Sequence, residues 1–263
     1  MEAEAELGYY ADPDRYDAEY APFAADRDWY VRRARELGGP VLELGCGTGR
    51  ILLGLAAAGL VADGLDLAPA MLDRCRERLL ASGRLASRVG LFEADMRAFR
   101  LERRYRTAIG PINALMHLLT DGEVLACLGC VRAHLAPGGR FLFDLTFPRP
   151  ELIEAFGGPR GEEVRTLRLR GGHYVQREQH RYDPASRISR VRHFFEPLGG
   201  GPGFATELRL RMYPPEAIEA LLARAGLQVC RRYGDFAGSS LDPQSSVVQV
   251  YETRAEPRSS KAV

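Results

Sequence analysis

The stretch Val41-Leu42-Glu43-Leu44-Gly45-Cys46-Gly47-Thr48-Gly49-Arg50 decides the fold. It begins as a short apolar run of the kind that forms a buried strand and turns through three glycines into a helix-forming segment. Glycines at such a turn tolerate positive φ and let the backbone lie against a ligand with no β-carbon in the way. An ordinary strand-to-helix turn seldom needs three at alternate positions. A dinucleotide fingerprint places glycines first, third and sixth, so that a pyrophosphate rests on the helix N-terminus. Here the third glycine falls fifth and Arg50 stands sixth, which argues against a nicotinamide oxidoreductase.

Outward from this turn, short apolar runs alternate with amphipathic segments. Strands are expected at 41–44, 61–67, 89–95, 107–113 and 140–146, with helices at 49–58, 69–81 and 121–135. Strands separated by helices of that length imply right-handed crossovers and a parallel sheet, with the ligand at the carboxyl ends of the strands. After Pro148 the period changes to 2. The runs 165–170, 173–182, 188–195 and 205–213 alternate side-chain character and are divided by turn residues, an antiparallel meander inserted after the fifth strand. A helix over PPEAIEALLARAG and two last strands, LQVCRRY and SSVVQVYE, return the chain to the core sheet. The fold class is therefore α/β: a doubly wound, seven-stranded, mostly parallel Rossmann-like sheet with an antiparallel β insertion. The expected divisions are a helical N-terminal lid (1–37), a ligand-binding core (38–150), the insertion (151–213), the return to the sheet (214–254) and a frayed tail (255–263).

The motif ELGCGTG (43–49) resembles the first motif of class I S-adenosylmethionine-dependent methyltransferases, and the likeness extends over most of the chain. The resemblance implies S-adenosylmethionine as cofactor. Gly45, Cys46, Gly47 and Gly49 would form its loop, and Glu43 with the carbonyl near Gly110 would face its methionine part. Asp66, with Leu67 beside it, matches the acid that binds both ribose hydroxyls. Asp95 and Met96 match the pair that contacts the adenine. Two ribose donors suit one carboxylate with two acceptor oxygens. The fourth strand lacks the acidic start usual in that family and reads YRTAIGP.

A sulfonium methyl is already activated, so the protein's main task is to align a nucleophile and exclude water. The loop PINALMHLLT after the fourth strand, with a Tyr-Asp pair near the N-terminus, is similar to small-molecule N-methyltransferases of the amino-sugar or glycine/sarcosine type. The resemblance implies that Tyr16 and His117 flank the acceptor amine. Tyr9, Tyr10 and Tyr20 compete with Tyr16, since any aromatic ring of this segment suits a cationic sulfonium. O-methylation, a cofactor-binding protein without activity, and an RNA substrate are the alternatives. Cys127, Cys130 and His134 lie on one helix among apolar residues and lack a fourth ligand, so no metal is expected.

The 263 residues carry 36 basic and 35 acidic side chains, a balance without the basic face that nucleic acid requires. No run approaches the roughly 20 apolar residues of a membrane span, and the first ten residues are not a leader, so a cytoplasmic protein is expected. The balance hides unlike parts. Residues 1–30 hold nine acids against two arginines, and residues 160–213 eleven arginines against six acids. Acidic lid and basic meander are expected to face each other across the acceptor site, with meander arginines suited to an anionic group on a small-molecule acceptor. The insertion could instead join two copies in a homodimer.

Overall fold

The computed structural model describes residues 8–149, 151 and 162–256. Two N-terminal helices, α1 (Pro13–Tyr20) and α2 (Ala25–Leu37), lead into an alternation of β1 (Val41–Leu44), α3 (Leu52–Ala57), β2 (Ala62–Asp66), α4 (Pro69–Ala81), β3 (Val89–Glu93), β4 (Tyr105–Gly110), α5 (Asp121–His134) and β5 (Leu135–Thr146). A four-stranded unit follows, β6 (Glu162–Leu169), β7 (Gly172–Asp183), β8 (Ile188–Pro197) and β9 (Phe204–Arg211). The chain closes with α6 (Pro215–Arg224), β10 (Leu227–Tyr233) and β11 (Val248–Ala255).

The main sheet has the order β10-β11-β5-β4-β1-β2-β3. Strands β1 to β5 run parallel, and β11 is antiparallel to both of its neighbours. The chain adds β2 and β3 on one side of β1, then crosses to add β4 and β5 on the other. That reversal opens a crevice above the carboxyl ends of β1 and β4, where ligands of open α/β sheets bind. The second sheet, β6-β7-β8-β9, is wholly antiparallel.

Core strands are buried on both faces, as continuous apolar runs require: all four residues of β1 are buried, Glu43 among them. One apolar cluster joins Leu42, Leu44, Phe141 and Phe143 to α5 and α6. The other lies across the sheet and takes Trp29, Tyr30 and Ala34 from α2. Trp29 and Tyr30 are at most 2% exposed, and burying each ring stabilises the lid's attachment by about 2–3 kcal/mol.

The differences from the sequence reading are local. Helix α3 begins at Leu52, because residues 45–49 spend three positive-φ glycines on the turn. Strand β5 starts at Leu135, paired with Tyr105, and its register jumps at the Gly138–Gly139 turn before Arg140 meets Thr107. Strand β4 starts at Tyr105, whose hydroxyl donates to buried Asp63 at 2.7 Å, a polar anchor at the start of the strand. Helix α1 lies inside the segment expected to be lid and was not itself anticipated. Residues 257–263 of the expected tail, and residues 1–7, lie outside the described residues, while Ala255 still belongs to β11. Among the described residues, no helix is long and apolar enough to cross a membrane. His134 has both ring nitrogens engaged, accepting from the Leu101 N–H at 2.9 Å and donating to the Cys130 carbonyl at 2.7 Å, which leaves no free nitrogen for a metal.

Candidate active site

Above the carboxyl ends of β1, β2 and β4 lies a cavity of about 500 Å³. Its floor is the glycine loop, where Gly45, Gly47 and Gly49 have φ of 63°, 53° and 82°. Glu43, Gly45, Cys46, Gly47, Asp66, Leu67, Asp95, Met96, Tyr16 and His117 all line it. Gly49 and Gly110 do not. A β-carbon at Gly49 would stand 2.5 Å from Cys75 Sγ and 2.6 Å from Leu53 Cδ1, so this glycine lets α4 pack against the loop. Gly110 sits against Phe141 and Phe143, and Pro111 and Ile112 after it reach the cavity instead.

The carboxylates along the floor have unused capacity. Asp66 Oδ2 accepts from the Gly47 N–H at 2.7 Å and Oδ1 from the Ala68 N–H at 2.9 Å, leaving a second lone pair on each oxygen for a diol. Burial raises the Asp66 pKa, opposed by these backbone donors. Glu43 is 3% exposed, its Oε2 has no hydrogen-bond partner, and burial raises its pKa well above the carboxylate range. A buried oxygen in that state calls for a donor, ideally a cation. Asp95 lies at the more open end, and hydrogen bonds from Arg97 hold its pKa down. These donors and gaps fit S-adenosylmethionine: the orphaned Glu43 oxygen toward the methionyl ammonium, Asp66 toward the ribose, and Asp95 with Met96 beside the adenine.

At the other end the Tyr10 hydroxyl lies 2.9 Å from His117 Nε2. Tyr10, one of the tyrosines expected to compete with Tyr16, is therefore hydrogen-bonded to the histidine. The Tyr16 ring covers the glycine loop instead, 3.7 Å from where a Gly47 β-carbon would stand, and packs on Tyr20 with ring centroids 4.5 Å apart. Burial pushes the His117 pKa down to about 4, so the imidazole is neutral at physiological pH.

The loop that carries His117 is held under strain. Ile112 and Asn113 both have positive φ, 49° and 61°, which a β-branched residue adopts only when its surroundings enforce it. Asp144 supplies that enforcement: it accepts from the Ile112 N–H at 2.9 Å, the Asn113 N–H at 3.3 Å and the Tyr30 hydroxyl at 2.7 Å. Burial lifts the Asp144 pKa to about 6, against an unfolded value of about 3.9. Between those values the folded state binds more proton, so this group makes stability fall by up to about 3 kcal/mol as pH rises through the window. Asp144→Asn should remove that slope. Urea unfolding from pH 4 to pH 7 checks it, and a wild-type-to-variant difference that does not change with pH would contradict it.

The lid is fastened to the glycine loop by charge. Asp17 accepts from Thr48 Oγ1 at 2.6 Å and pairs with Arg78 at 2.7 Å, and Arg78 also donates to Thr48 Oγ1 at 2.9 Å. Arg50 pairs with Asp26, and Arg74 with Asp14. The acidic segment thus spends much of its charge on core arginines. It also touches the meander directly, where Asp14 meets Arg170 at 2.5 Å. Asp17→Ala should weaken S-adenosylmethionine binding about tenfold, in keeping with the loss of one charge-assisted hydrogen-bond group, and speed proteolysis near residue 20. Calorimetry and timed digestion read both effects, and unchanged values would mean that the triangle does not hold the lid.

Several lining residues carried no sequence signal. Arg50, Arg97, Arg209, Thr120 and Glu123 reach the cavity, and among the described meander arginines only Arg209 does so. Glu123 was visible in principle, since Thr120 and Glu123 form a capping box at the start of α5. Its carboxylate also accepts from Leu119 N–H at 2.9 Å and pairs with Arg97, tying the Asp95 end of the cavity to the His117 loop.

Residues 41–139 match the family model described as "Methyltransferase domain". The chain is 28% identical over 225 residues to a dTDP-3-amino-3,4,6-trideoxy-alpha-D-glucopyranose N,N-dimethyltransferase of Streptomyces venezuelae, covering 85% of this chain and 90% of that one. Among solved structures it is similar to the CcbJ methyltransferase from Streptomyces caelestis, with TM-score 0.77, 27% identity, and coverage of 94% of this chain and 100% of that one. It is also similar to CalS10, an amino pentose methyltransferase from Micromonospora echinaspora solved with S-adenosylmethionine bound, with TM-score 0.65, 28% identity, and coverage of 91% and 96%.

Proposed function

The chain is an S-adenosylmethionine-dependent methyltransferase, and from that premise we propose that it methylates an amine nitrogen of a small acceptor presented between Tyr10, Tyr16 and His117. When bound, S-adenosylmethionine supplies a methyl group on a positively charged sulfur. Everything else is the work of this chain. Glu43, Asp66 and Asp95 hold the three parts of the cofactor, and the lid helices cover the site and keep water out.

The observation that carries the reading is the neutral Tyr10–His117 pair. An imidazole whose pKa lies near 4 is a poor base for a hydroxyl group, which argues against an alcohol or phenol acceptor. It is well suited to an amine. With the ring proton on Nδ1, the Tyr10 hydroxyl donates to Nε2 and its oxygen can accept an amine N–H, turning the nitrogen lone pair toward the methyl group. An uncharged histidine also adds no positive field that would repel the ammonium formed as the amine is alkylated. The amine arrives deprotonated from solvent, so the residues position it more than they deprotonate it.

The direct test is a methyl-transfer screen over amines, amino sugars, amino acids and phenols, followed by release of S-adenosylhomocysteine. Turnover confined to amines is the expected result. Turnover of phenols alone would favour O-methylation.

A further inference from the structure

We propose that a second cavity, adjoining the first, binds the body of the acceptor and selects molecules rich in hydroxyl and ammonium groups over phosphorylated ones. The proposal rests on the amine reading above and names the substrate class of that site. The chamber has a volume of about 470 Å³ and shares Tyr20 and Ile112 with the first cavity as a common wall. One side is built by the lid, through Glu19, Tyr20, Phe23 and Asp26, and the other by the meander, through Arg165, Glu178 and His193. Asp144 stands behind the strained loop at its base. Lid and meander do face each other here, but not as acid against base.

Among the described residues, four carboxylates line the chamber against one guanidinium, that of Arg165. Glu19 and Asp26 are compensated from behind by Arg15 and Arg50. Asp144 is held by neutral donors only, the Tyr30 hydroxyl and two backbone N–H groups. Glu178 faces the His180 and His193 imidazoles at 3.6 and 3.5 Å. His193 supplies the independent sign of a ligand. It is 5% exposed, its Nε2 faces Glu178, and its Nδ1 has no hydrogen-bond partner among the described residues. With Nε2 turned toward Glu178, Nδ1 is the ring nitrogen left to meet a ligand. Glu19 Oε1, 3% exposed, meets Arg15 as an ion pair at 3.4 Å but accepts no hydrogen bond among the described residues. Buried polar atoms without hydrogen bonds are costly; a hydroxyl, which both donates and accepts, suits His193 Nδ1, and a hydroxyl or ammonium donor suits the Glu19 carboxylate. A phosphate brings acceptors only and a charge of the wrong sign. The Tyr20 and Phe23 rings give such a ligand an apolar surface on which C–H faces can rest.

The test is calorimetric binding of D-glucosamine and of glucosamine 1-phosphate to the protein loaded with S-adenosylhomocysteine. Both probes carry the same amine, and they differ by one phosphate. D-Glucosamine should bind about tenfold or more tightly, the scale expected for one uncompensated charge in a partly screened site. Glu178→Gln should narrow that ratio. Ala24→Phe, which grows a ring into the chamber from its rim, should weaken D-glucosamine binding about tenfold and leave S-adenosylhomocysteine binding unchanged. Tighter binding of the phosphate, no binding of either probe, or indifference to both substitutions would overturn the proposal. Turnover is read separately. Binding as described without methylation of any amine would sink the amine reading and leave the chamber's preference standing.

Discussion

Replacing Gly47 by valine should leave a folded protein that no longer binds S-adenosylmethionine measurably. Gly47 holds φ of 53°, a region that a β-branched residue enters only at a cost of about 1–2 kcal/mol. Its N–H donates to Asp66 Oδ2, so moving the backbone to relieve that strain also disturbs the carboxylate assigned to the ribose. A β-carbon there already stands in van der Waals contact with the Tyr16 ring, and the two further methyl groups of valine must enter the cavity or push the lid away. We expect the dissociation constant to rise at least about 100-fold, close to 3 kcal/mol. Asp66→Ala provides the companion measurement without backbone strain. It removes both ribose acceptors and two backbone-capping bonds, and should cost a similar factor. Unchanged affinity in both variants would remove the cofactor assignment.

The second large effect belongs to the acceptor end. His117→Ala should lower kcat by about 10–100-fold with S-adenosylmethionine affinity changed less than threefold, because it removes an alignment made at the nitrogen and not at the cofactor. Tyr10→Phe should reproduce most of that loss. Tyr16→Phe should act mainly on cofactor binding, since its ring, not a bond to His117, is what covers the loop. The pH profile separates positioning from base catalysis. With burial holding the His117 pKa near 4, the ring is already neutral above pH 5 and contributes no limb to the rate between pH 5 and 8. The acidic limb of kcat/KM should therefore follow the pKa of the free acceptor amine and persist in His117→Ala. A limb near pH 6.5 that vanishes in the variant would make His117 a general base instead.

How much of this the sequence disclosed follows from how local each feature is. The glycine loop and the acids ending β2 and following β3 are contiguous motifs, and all but Gly49 and Gly110 line the cavity. Helix α1 was not legible because its buried residues are Arg15 and Glu19, and no apolar period marks it. Arg15 can be 1% exposed because nearby Tyr9 and Glu19, together with Thr206 and Phe195 of the meander, receive it. The Tyr10–His117 bond spans 107 residues, and nothing in the spacing of four N-terminal tyrosines selects Tyr10. Asp144 reads as one more polar residue in a core strand, and its grip on two positive-φ residues appears only when β4 and β5 lie side by side. The opposed charges of lid and meander were visible as totals. Their partners were not, and the second cavity is walled by the acids of both.

The measurement that bears most directly on the central claim is a single-turnover reaction with S-adenosylmethionine carrying an isotope-labelled methyl group, run on an acceptor from the amine screen and read by NMR and mass spectrometry of the product. The account predicts one labelled methyl on nitrogen for each S-adenosylhomocysteine released, and loss of that signal in Gly47→Val. A label found on oxygen, or S-adenosylmethionine bound by the wild-type protein with no amine methylated across the screen, would contradict it.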